Sequence, residues 1–212
     1  MSIRLLSGRY HPYVTIIGVL ILLKVDRIYS SKPSKNMKIK PLIILISLFL
    51  LPIQTYAYSY SGIHWSTSSV SVDSGDSSIP ASWITPIARS MSTWNAPTSP
   101  FYFYVGSDNH KLYAQYAGNN GMPAVTYFSY SGNALIDADT YFNTYYPWST
   151  SGQSGYYDVQ NVLTHELGHW LVLNDLYSSQ DSEKTMYGYT STGETKKRSL
   201  DADDINGINA IY

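Results

Sequence analysis

The 212-residue sequence contains no cysteine. This absence excludes a disulfide framework, a zinc site with cysteine ligands and catalysis by a thiol nucleophile. Charged residues are also few, at 14% of the chain, whereas tyrosine occurs 21 times. Nucleic-acid-binding proteins are strongly basic and disordered tails are rich in charge, so the composition argues against both classes. It is typical of an exported protein.

The few charges are distributed unevenly along the chain. The formal net charge is only −1, but residues 1–57 carry eight Lys and Arg against one acid, which gives +7. The remaining residues, 58–212, therefore carry −8. A basic, apolar front followed by an acidic, polar body predicts a targeting segment joined to a secreted domain.

Residues 37–57 have the three parts of a secretory signal peptide. They begin with Met-Lys-Ile-Lys, continue with the apolar run 42–51, and end in small residues with a cleavage point after Ala57. The apolar run is shorter than the roughly 20 residues that span a bilayer. We therefore predict a cleaved leader and a secreted protein. The alternative is a retained leader, which would be the protein's sole attachment to a membrane.

A second apolar run, over residues 14–23, precedes this signal peptide. Two leaders in series make little physical sense. The preferred interpretation is that translation starts at Met37 and that residues 1–36 are an upstream extension. The alternative is an N-terminal anchor.

Residues 58–212 predict a single domain of the α+β class. Residues 79–95 place apolar side chains at helical spacing, and a second helix begins near Asp158. Between and before these helices, alternating apolar residues and turn residues predict strands over 69–73, 101–105, 111–116, 124–130 and 134–142.

The second helix carries the residues that indicate chemistry. His165 and His169 are four residues apart, so both imidazoles project from one face and can bind one metal ion. Glu166 lies between them, where it can take a proton from a metal-activated water. Asp158 is suited to cap the helix. These residues predict a metal-dependent hydrolase.

A catalytic zinc ion needs a third protein ligand and leaves the fourth position to water. Asp175, Glu183 and Glu194 are the acids that follow His169 at usable distances. Asp175 requires the helix to end soon after His169 and the chain to double back, for which Asn-Asp is suitable turn chemistry. Glu194 could be the third ligand if it lay on a further helix, but the residues around it do not form an apolar helix face. Asp175 is favoured, and Glu194 remains the alternative.

The segment HELGHWLVLND, residues 165–175, resembles the H-E-x-x-H-x-x-G-x-x-[HD] signature of the metzincin clan of zinc endopeptidases. Residues 185–187, Thr-Met-Tyr, resemble the Met-turn of that clan. Residues 200–212 closely resemble the final helix of the matrixin branch, and residues 83–95 are similar to its first helix. The resemblance covers nearly all of residues 58–212 in order.

This resemblance implies a metzincin-like zincin fold, in which a twisted mixed β-sheet is accompanied by an active-site helix and a C-terminal helix. It implies that Met186 packs beneath the zinc ion without binding it, and that Tyr187, Gly188 and Tyr189 form a wall of the substrate pocket. It also implies an edge strand that holds an extended peptide by β-augmentation. Ala124, Val125 and Tyr127 are the candidates on that strand.

The sequence departs from the family pattern at two positions. Val172 stands where the family has glycine, so we expect the turn after the helix to be made without a positive φ. The third ligand is Asp175 rather than histidine, which the signature tolerates. With no cysteine, the thiol latch of animal matrixins is absent.

Several acids have two interpretations. By resemblance, one of Asp203 and Asp204 points inward and bonds either backbone near the Met-turn or a new N-terminal ammonium; alternatively, both are solvated partners of the helix dipole. Calcium is a second candidate ion at the turns that carry Asp73, Asp76, Asp137 and Asp139, although surface turns explain these residues too.

The function predicted from these observations is that of a secreted zinc metalloendopeptidase, a hydrolase of enzyme class EC 3.4.24. One catalytic Zn²⁺ is the expected cofactor, and proteins or peptides are the expected substrates. No nucleic-acid partner is expected, and the protein is expected to be a monomer. The alternative is an inactive, metal-stabilised domain that binds or adheres at a surface.

Overall fold

The structure is a computed structural model that describes residues 60–96 and 101–212. The predicted signal peptide, residues 37–57, and the segment before it lie outside the described residues. No helix in the described ranges is both long and apolar enough to cross a lipid bilayer.

Short strands make up the sheet, as a chain rich in β-branched and aromatic residues favours. In chain order, the described strands are β1 (His64–Trp65), β2 (Ser69–Val72), β3 (Tyr102–Val105), β4 (Leu112–Gln115), β5 (Ala124–Ser131), β6 (Ala134–Asn143), β7 (Trp148–Ser149) and β8 (Tyr157–Asp158).

The longest strand, β6, is the centre of the sheet. It pairs in parallel with β1 near its start and with β4 near its end, and it pairs in antiparallel fashion with β5 along its length. A parallel bridge between Asp73 and Lys111 joins the β2–β3 pair to the start of β4. The mixed sheet therefore runs in the order β3, β2, β4, β6 and β5, with the short β1 on the β4 side of β6, and β5 lies at its edge.

Three α-helices in residues 60–96 and 101–212 accompany the sheet: α1 (Ile84–Asn95), α2 (Val159–Trp170) and α3 (Ala202–Ile211). Short 3-10 turns occur at Ala81–Trp83, Ser179–Asp181 and Lys196–Arg198. The predicted α+β class is confirmed. The predicted strands and helices are present, but most begin or end at residues other than those predicted.

The first helix begins later than the sequence predicts. Pro80 is extended and is followed by a 3-10 turn, so α1 begins at Ile84 rather than at residue 79. Ile84 is 46% exposed and is not part of the buried face, which comprises Ile87, Met91 and Trp94. At its other end, Asn95 exchanges two side-chain hydrogen bonds with the backbone of Phe103, both of 2.8 Å, and so holds β3 in place.

Helices α1 and α2 pack face to face in the core. The Trp94 indole donates a hydrogen bond to the Thr164 carbonyl at 2.7 Å, and the Ser90 hydroxyl donates to the Gln160 carbonyl. Both bonds reach backbone oxygens of α2. Since α2 is buried on nearly all sides, this packing fixes the position of its two histidines.

Candidate metal centre

Helix α2 is anchored at its start by Asp158. The Asp158 carboxylate accepts a hydrogen bond from the Asn161 N–H at 2.9 Å, which satisfies one of the free donors of the first turn. The same fully buried carboxylate is paired with the Arg198 guanidinium through two hydrogen bonds. A helix start held in this way places His165 and His169 further along one face.

The two histidines meet Asp175. One potential ligand atom from each of the three residues lies within 4.8 Å of the others. Asp175 Oδ1 is 3.2 Å from Nε2 of His165 and 3.5 Å from Nε2 of His169. Asp175 Oδ1 is buried, yet it has no hydrogen-bond partner among the described residues. An unsatisfied buried carboxylate oxygen is costly unless a cation accompanies it.

The other ring nitrogens fix the tautomer of both histidines. His165 Nδ1 is 2.8 Å from the Thr185 carbonyl oxygen, and His169 Nδ1 is 2.8 Å from that of Leu173. A carbonyl can only accept, so Nδ1 carries the proton and Nε2 of each neutral imidazole presents a lone pair. Two nitrogen lone pairs and a carboxylate oxygen therefore face one another. This arrangement fits a divalent cation such as zinc. Histidines that bind zinc usually donate the N–H of their other ring nitrogen to a carbonyl or carboxylate oxygen.

When no metal ion is bound, the surroundings of His169 favour its protonated form. Burial lowers the pKa of His169, but the contact with Asp175 and the charges of Asp175 and Glu166 outweigh burial and raise this pKa to about 9. Burial raises the pKa of Asp175, but its contacts with His165 and His169 outweigh burial and hold the pKa well below its usual range. The surroundings of the three residues thus favour a positive charge.

The turn that ends α2 corrects one expectation. Val172 adopts a φ of 59°, so the left-handed conformation is kept although the residue is β-branched. The Val172 N–H bonds to the His169 carbonyl at 2.8 Å, and the Leu173 N–H bonds to the Gly168 carbonyl at 3.0 Å. This pair of bonds is a Schellman motif. Because Val172 is also buried, packing compensates for the strained backbone.

The turn reverses the chain so that Asp175 approaches the histidines. Beyond it, the Leu176 N–H bonds to the Met186 carbonyl, and the Gly188 N–H bonds to the Leu176 carbonyl. A Cβ on Gly188 would lie 2.6 Å from the Tyr177 ring and 3.1 Å from the Asp175 carboxyl carbon. Glycine at this position therefore allows Asp175 and Tyr177 to pack closely, and the Tyr177 hydroxyl donates to Asp175 Oδ2 at 3.0 Å.

Glu166 is buried beside the three ligand candidates. Only 5% of the residue is exposed. Its Oε2 atom accepts a hydrogen bond from the Thr126 hydroxyl at 2.6 Å. Since Thr126 belongs to β5, this bond places the carboxylate of Glu166 next to the edge of the sheet.

Met186 packs against α2 between the two histidines. A Cβ on Gly168 would lie 2.2 Å from the Met186 sulfur, so the methionine occupies the space that glycine leaves open. Met186 is 2% exposed, and its N–H bonds to the Asp204 carboxylate. The neighbouring Thr185 carbonyl is the one that His165 Nδ1 contacts. The segment therefore lies directly against the histidine pair.

The family model of the matrixins, peptidase family M10, matches residues 92–212. The chain belongs to the matrixin family. The predicted recognition and the predicted metzincin-like fold are thereby confirmed. Matrixins are zinc metalloendopeptidases, and residues 165–175, which include both histidines and Asp175, lie inside the matched range.

Two curated proteins are similar to this matrixin chain. Metalloendoproteinase 1 of Glycine max is 28% identical over 138 residues, which are 59% of this chain and 44% of the relative. Neutrophil collagenase of Homo sapiens is 34% identical over 104 residues, which are 49% of this chain and 21% of the relative. The matched part of the chain spans less than half the length of either relative.

The candidate wall of the matrixin pocket is held from behind by a buried lysine. The Lys197 ammonium donates hydrogen bonds to the carbonyls of Tyr187 and Tyr189, at 2.6 and 2.8 Å. Burial lowers the pKa of Lys197, and the charge of Glu194, 3.7 Å away, opposes this effect. The Tyr189 ring is 61% exposed and contacts the ring of Tyr177.

The three candidates for peptide binding lie on one strand at the edge of the sheet. Ala124, Val125 and Tyr127 belong to β5, which pairs only with β6 among the described strands. Their side chains differ in direction because alternate residues face opposite sides of a strand. Thr126 faces Glu166, whereas the Tyr127 ring packs against Tyr141. A role for Tyr127 at the site would therefore be carried by its backbone.

The alternative ligands lie elsewhere. Glu194 accepts a hydrogen bond from the Asn161 amide and pairs with Lys197, whereas Glu183 is exposed and pairs with Lys196. Glu194 is not a solvated loop acid, because its side chain is only 14% exposed. Of the three acids considered, Asp175 is the one that the fold brings to the histidines.

The two acids of α3 differ in their partners. Asp204 is buried and accepts hydrogen bonds from the N–H groups of Thr185 and Met186 and from that of Asp201, with which it forms a capping box. Asp203 pairs with the Lys184 ammonium at 3.1 Å. Of the two interpretations, the inward one therefore describes Asp204, which bonds the backbone of Thr185 and Met186.

The candidate calcium ligands do not assemble into one site. Asp73 and Asp76 each accept a backbone hydrogen bond within their own turn. Asp137 contacts His110, and Asp139 accepts a bond from the Lys111 N–H. In the described part of the chain, no three of these carboxylates form a group with ligand spacing.

Three residues near the candidate site were not predicted from the sequence. Thr126 and Lys197 reach the site through folding alone, and nothing local in the sequence identifies the residues that they contact. Tyr177 follows Asp175 by two residues, and this spacing is the one available signal. For Thr126, the alternation of β5 could have indicated the inward face, but not the partner across the sheet.

Proposed function

We propose that this chain is a secreted zinc-dependent endopeptidase that hydrolyses peptide bonds in extended segments of protein substrates. The observation that carries the proposal is the convergence of two imidazole lone pairs and a carboxylate oxygen beside the buried Glu166. Membership of the matrixin family supports it.

His165, His169 and Asp175 are the residues that would hold the zinc ion. Two histidine nitrogens and one carboxylate oxygen are a donor set that catalytic zinc sites use. Zinc bound there supplies a Lewis acid that polarises the scissile carbonyl and activates water. The hydrogen bonds from Nδ1 to the carbonyls of Thr185 and Leu173 keep both Nε2 atoms available as ligands.

Glu166 is proposed to act as the general base. Its Oε2 atom is held by Thr126, which leaves the other oxygen to accept a proton from the attacking water. The protonated Glu166 then delivers that proton to the nitrogen of the leaving amine. Burial keeps bulk water away from the carboxylate and so strengthens its interactions with the reacting groups.

Substrate binding is proposed along β5. An extended peptide can add to the free edge of this strand through backbone hydrogen bonds at Ala124, Val125 and Tyr127. Tyr187, Gly188 and Tyr189 would form the wall beside the scissile bond. Because two of these three residues are aromatic, they favour an apolar side chain next to the cut.

The exposed tyrosines give a second candidate function. Tyr102, Tyr104, Tyr116 and Tyr145 are each more than 40% exposed, which suits a surface that binds other proteins. A domain of this kind would retain zinc for stability without turning over substrate. The intact Glu166 favours the peptidase.

The decisive experiment measures cleavage of a broad peptide library by the full chain, purified in the form that the producing cells release. Three samples are compared: protein as purified, protein treated with 1,10-phenanthroline, and treated protein supplied again with zinc. We expect cleavage in the first and third samples only. The library products would also show whether apolar side chains are preferred beside the cut.

Two matched variants separate catalysis from stability. Glu166→Ala removes the proposed base, and we expect it to bind zinc and cut nothing. Glu183→Ala removes an acid that is 79% exposed, and it should cut as the wild type does. A wild-type protein that binds one zinc ion and cuts nothing in the library would contradict the peptidase and favour the binding domain.

The remaining expectations extend the proposal. Export with removal of the leader is tested by N-terminal sequencing of the released protein, with Tyr58 expected as the first residue. The monomer is tested by light scattering. Calcium stays a prediction, to be tested by metal analysis after dialysis against calcium-containing buffer.

A further inference from the structure

A line of hydrogen bonds runs from the core of the protein to Glu166. The Trp170 indole nitrogen is 2.9 Å from the Thr140 hydroxyl, which is 2.8 Å from the Thr126 hydroxyl. The Thr126 hydroxyl is 2.6 Å from Glu166 Oε2. Thr126 and Thr140 face each other across the antiparallel β5–β6 pair, so their hydroxyls meet on the same face of the sheet.

The chemistry of the two ends fixes the direction of every bond in this line. An indole nitrogen can only donate, and an ionised carboxylate can only accept. Because the single proton of the Thr126 hydroxyl goes to Glu166, the Thr126 oxygen must accept the proton of Thr140. Thr140 in turn accepts from Trp170. Each hydroxyl therefore donates once and accepts once within the line.

The inner part of the line is completely buried. Thr140 and Trp170 have no exposed surface, and Trp170 is the last residue of α2, four positions after Glu166. Thr140 lies on the central strand β6. The line therefore connects the end of the active-site helix, the centre of the sheet and its edge, and it terminates on one oxygen of Glu166.

We propose that Thr126 is a positioning residue for Glu166. Its hydroxyl holds Oε2 in one place, and the Thr140–Trp170 pair holds the hydroxyl, so that the second carboxylate oxygen is oriented for proton transfer before substrate arrives. A bond of 2.6 Å from a hydroxyl to a carboxylate is short and charge-assisted, as this role requires. The inference rests on the proposed function, in which Glu166 is the general base.

The test compares three variants of the full chain. Thr126→Val removes the hydroxyl and keeps the shape of the side chain, whereas Thr126→Ser keeps the hydroxyl. Thr144→Val is the matched control, since it makes the same chemical change at an exposed residue just beyond β6. Each protein is assayed for kcat, KM and bound zinc.

For Thr126→Val, we expect kcat to fall about tenfold, a part of the 100-fold or more that a general base contributes. KM should change less than twofold and zinc should remain at one ion per chain, because substrate and metal are bound by other groups. Thr126→Ser should recover most of the lost kcat, and Thr144→Val should match the wild type. Wild-type kcat in Thr126→Val would overturn the proposal, as would equal losses in the Val and Ser variants.

A second measurement does not depend on turnover. In protein labelled with ¹⁵N, the indole N–H signal of Trp170, assigned with Trp170→Phe, reports on the far end of the line. We expect it to shift in Thr126→Val and in Glu166→Ala and to stay in place in Thr144→Val. If the wild type cuts nothing, the proposed function fails, and these shifts still decide whether Thr126 joins Glu166 to the core. An unmoved signal in both variants would overturn the positioning role.

Discussion

The Lys197 ammonium is enclosed behind the Tyr187–Tyr189 segment and bonds to the carbonyl oxygen of Tyr187 at 2.6 Å. The lysine is 1% exposed, so its charge is balanced inside the protein by the Tyr189 carbonyl and by Glu194. A cation in this position holds a loop against the metal centre by its backbone. The shape of the proposed pocket wall therefore depends on a residue outside the wall.

Replacing Lys197 by methionine should destabilise the protein strongly. The substitution keeps much of the side-chain volume but leaves two carbonyls and Glu194 without their cation, and breaking a buried pair in this way costs about 3–5 kcal/mol. Urea denaturation of metal-loaded protein would measure the change. Lys196→Met is the control: the Lys196 pair with Glu183 is exposed, and its loss should cost less than about 1 kcal/mol. Equal effects at the two positions would contradict the role assigned to Lys197.

Zinc content should distinguish the two acids that the sequence leaves as third-ligand candidates. We expect Asp175→Ala to lose zinc during dialysis, because only two imidazoles remain. Glu194→Gln should retain one zinc ion per chain, since Glu194 contacts Asn161 and Lys197 instead. The measurement is metal analysis of both proteins after dialysis against a zinc buffer. Loss of zinc in Glu194→Gln alone would show the ligand assignment to be wrong.

Alanine variants are usually more stable than glycine variants. The left-handed backbone at Val172 should reverse this order of stability. Both Val172→Ala and Val172→Gly lose the buried side chain, but the glycine variant also relieves the strain at a φ of 59°. The left-handed conformation costs a non-glycine residue about 1–2 kcal/mol. We therefore expect Val172→Gly to be more stable than Val172→Ala in thermal unfolding.

Position 162 provides the comparison. Val162 is also buried, but it lies inside α2, where glycine is less favourable than alanine by about 1 kcal/mol. The alanine variant should therefore be the more stable of the pair at this position. If both positions gave the same order, the conformation of Val172 would have no energetic consequence.

The pH dependence of the metal-free protein should reflect His169. Its pKa of about 9 in the folded protein lies above the ordinary value of 6.5. The stabilisation from the protonated form is therefore fully present below pH 6.5 and is lost as the pH rises through 9. By this linkage, the free energy of unfolding should fall by at most about 3 kcal/mol across that interval.

Urea denaturation at a series of pH values, with and without zinc, measures this dependence. Zinc competes with protons for the same nitrogen, so the zinc-loaded protein should gain stability over the interval in which the metal-free protein loses it. His169→Asn should remove most of the decline. An unchanged decline in that variant would assign the effect to other groups.

The motif on α2 was predictable from sequence because the spacing of a helix is fixed by its geometry. Two histidines four residues apart must share a face, and the Asp158 cap and the acid after the turn are local features. The left-handed turn at Val172 was not predictable, since its strain is offset by burial in a core that forms only in the fold.

Contacts between residues far apart in the chain could not be predicted from the sequence either. Thr126 and Glu166 are 40 residues apart, and Lys197 and Asn161 are 36 apart, so each pair depends on the register of the sheet and on the path of a loop. The start of α1 was misplaced for a different reason: residues 81–83 have helical spacing, but they form a 3-10 turn after the extended Pro80.

The bonds of Asp204 have a consequence for the order in which the site matures. This carboxylate holds the N–H groups of Thr185 and Met186, and the Thr185 carbonyl orients His165. His165 therefore acquires its working orientation only once residues 202–211 have folded as a helix. The candidate metal site is therefore complete only when a helix that follows it in sequence has formed, although none of the three clustered residues belongs to that helix.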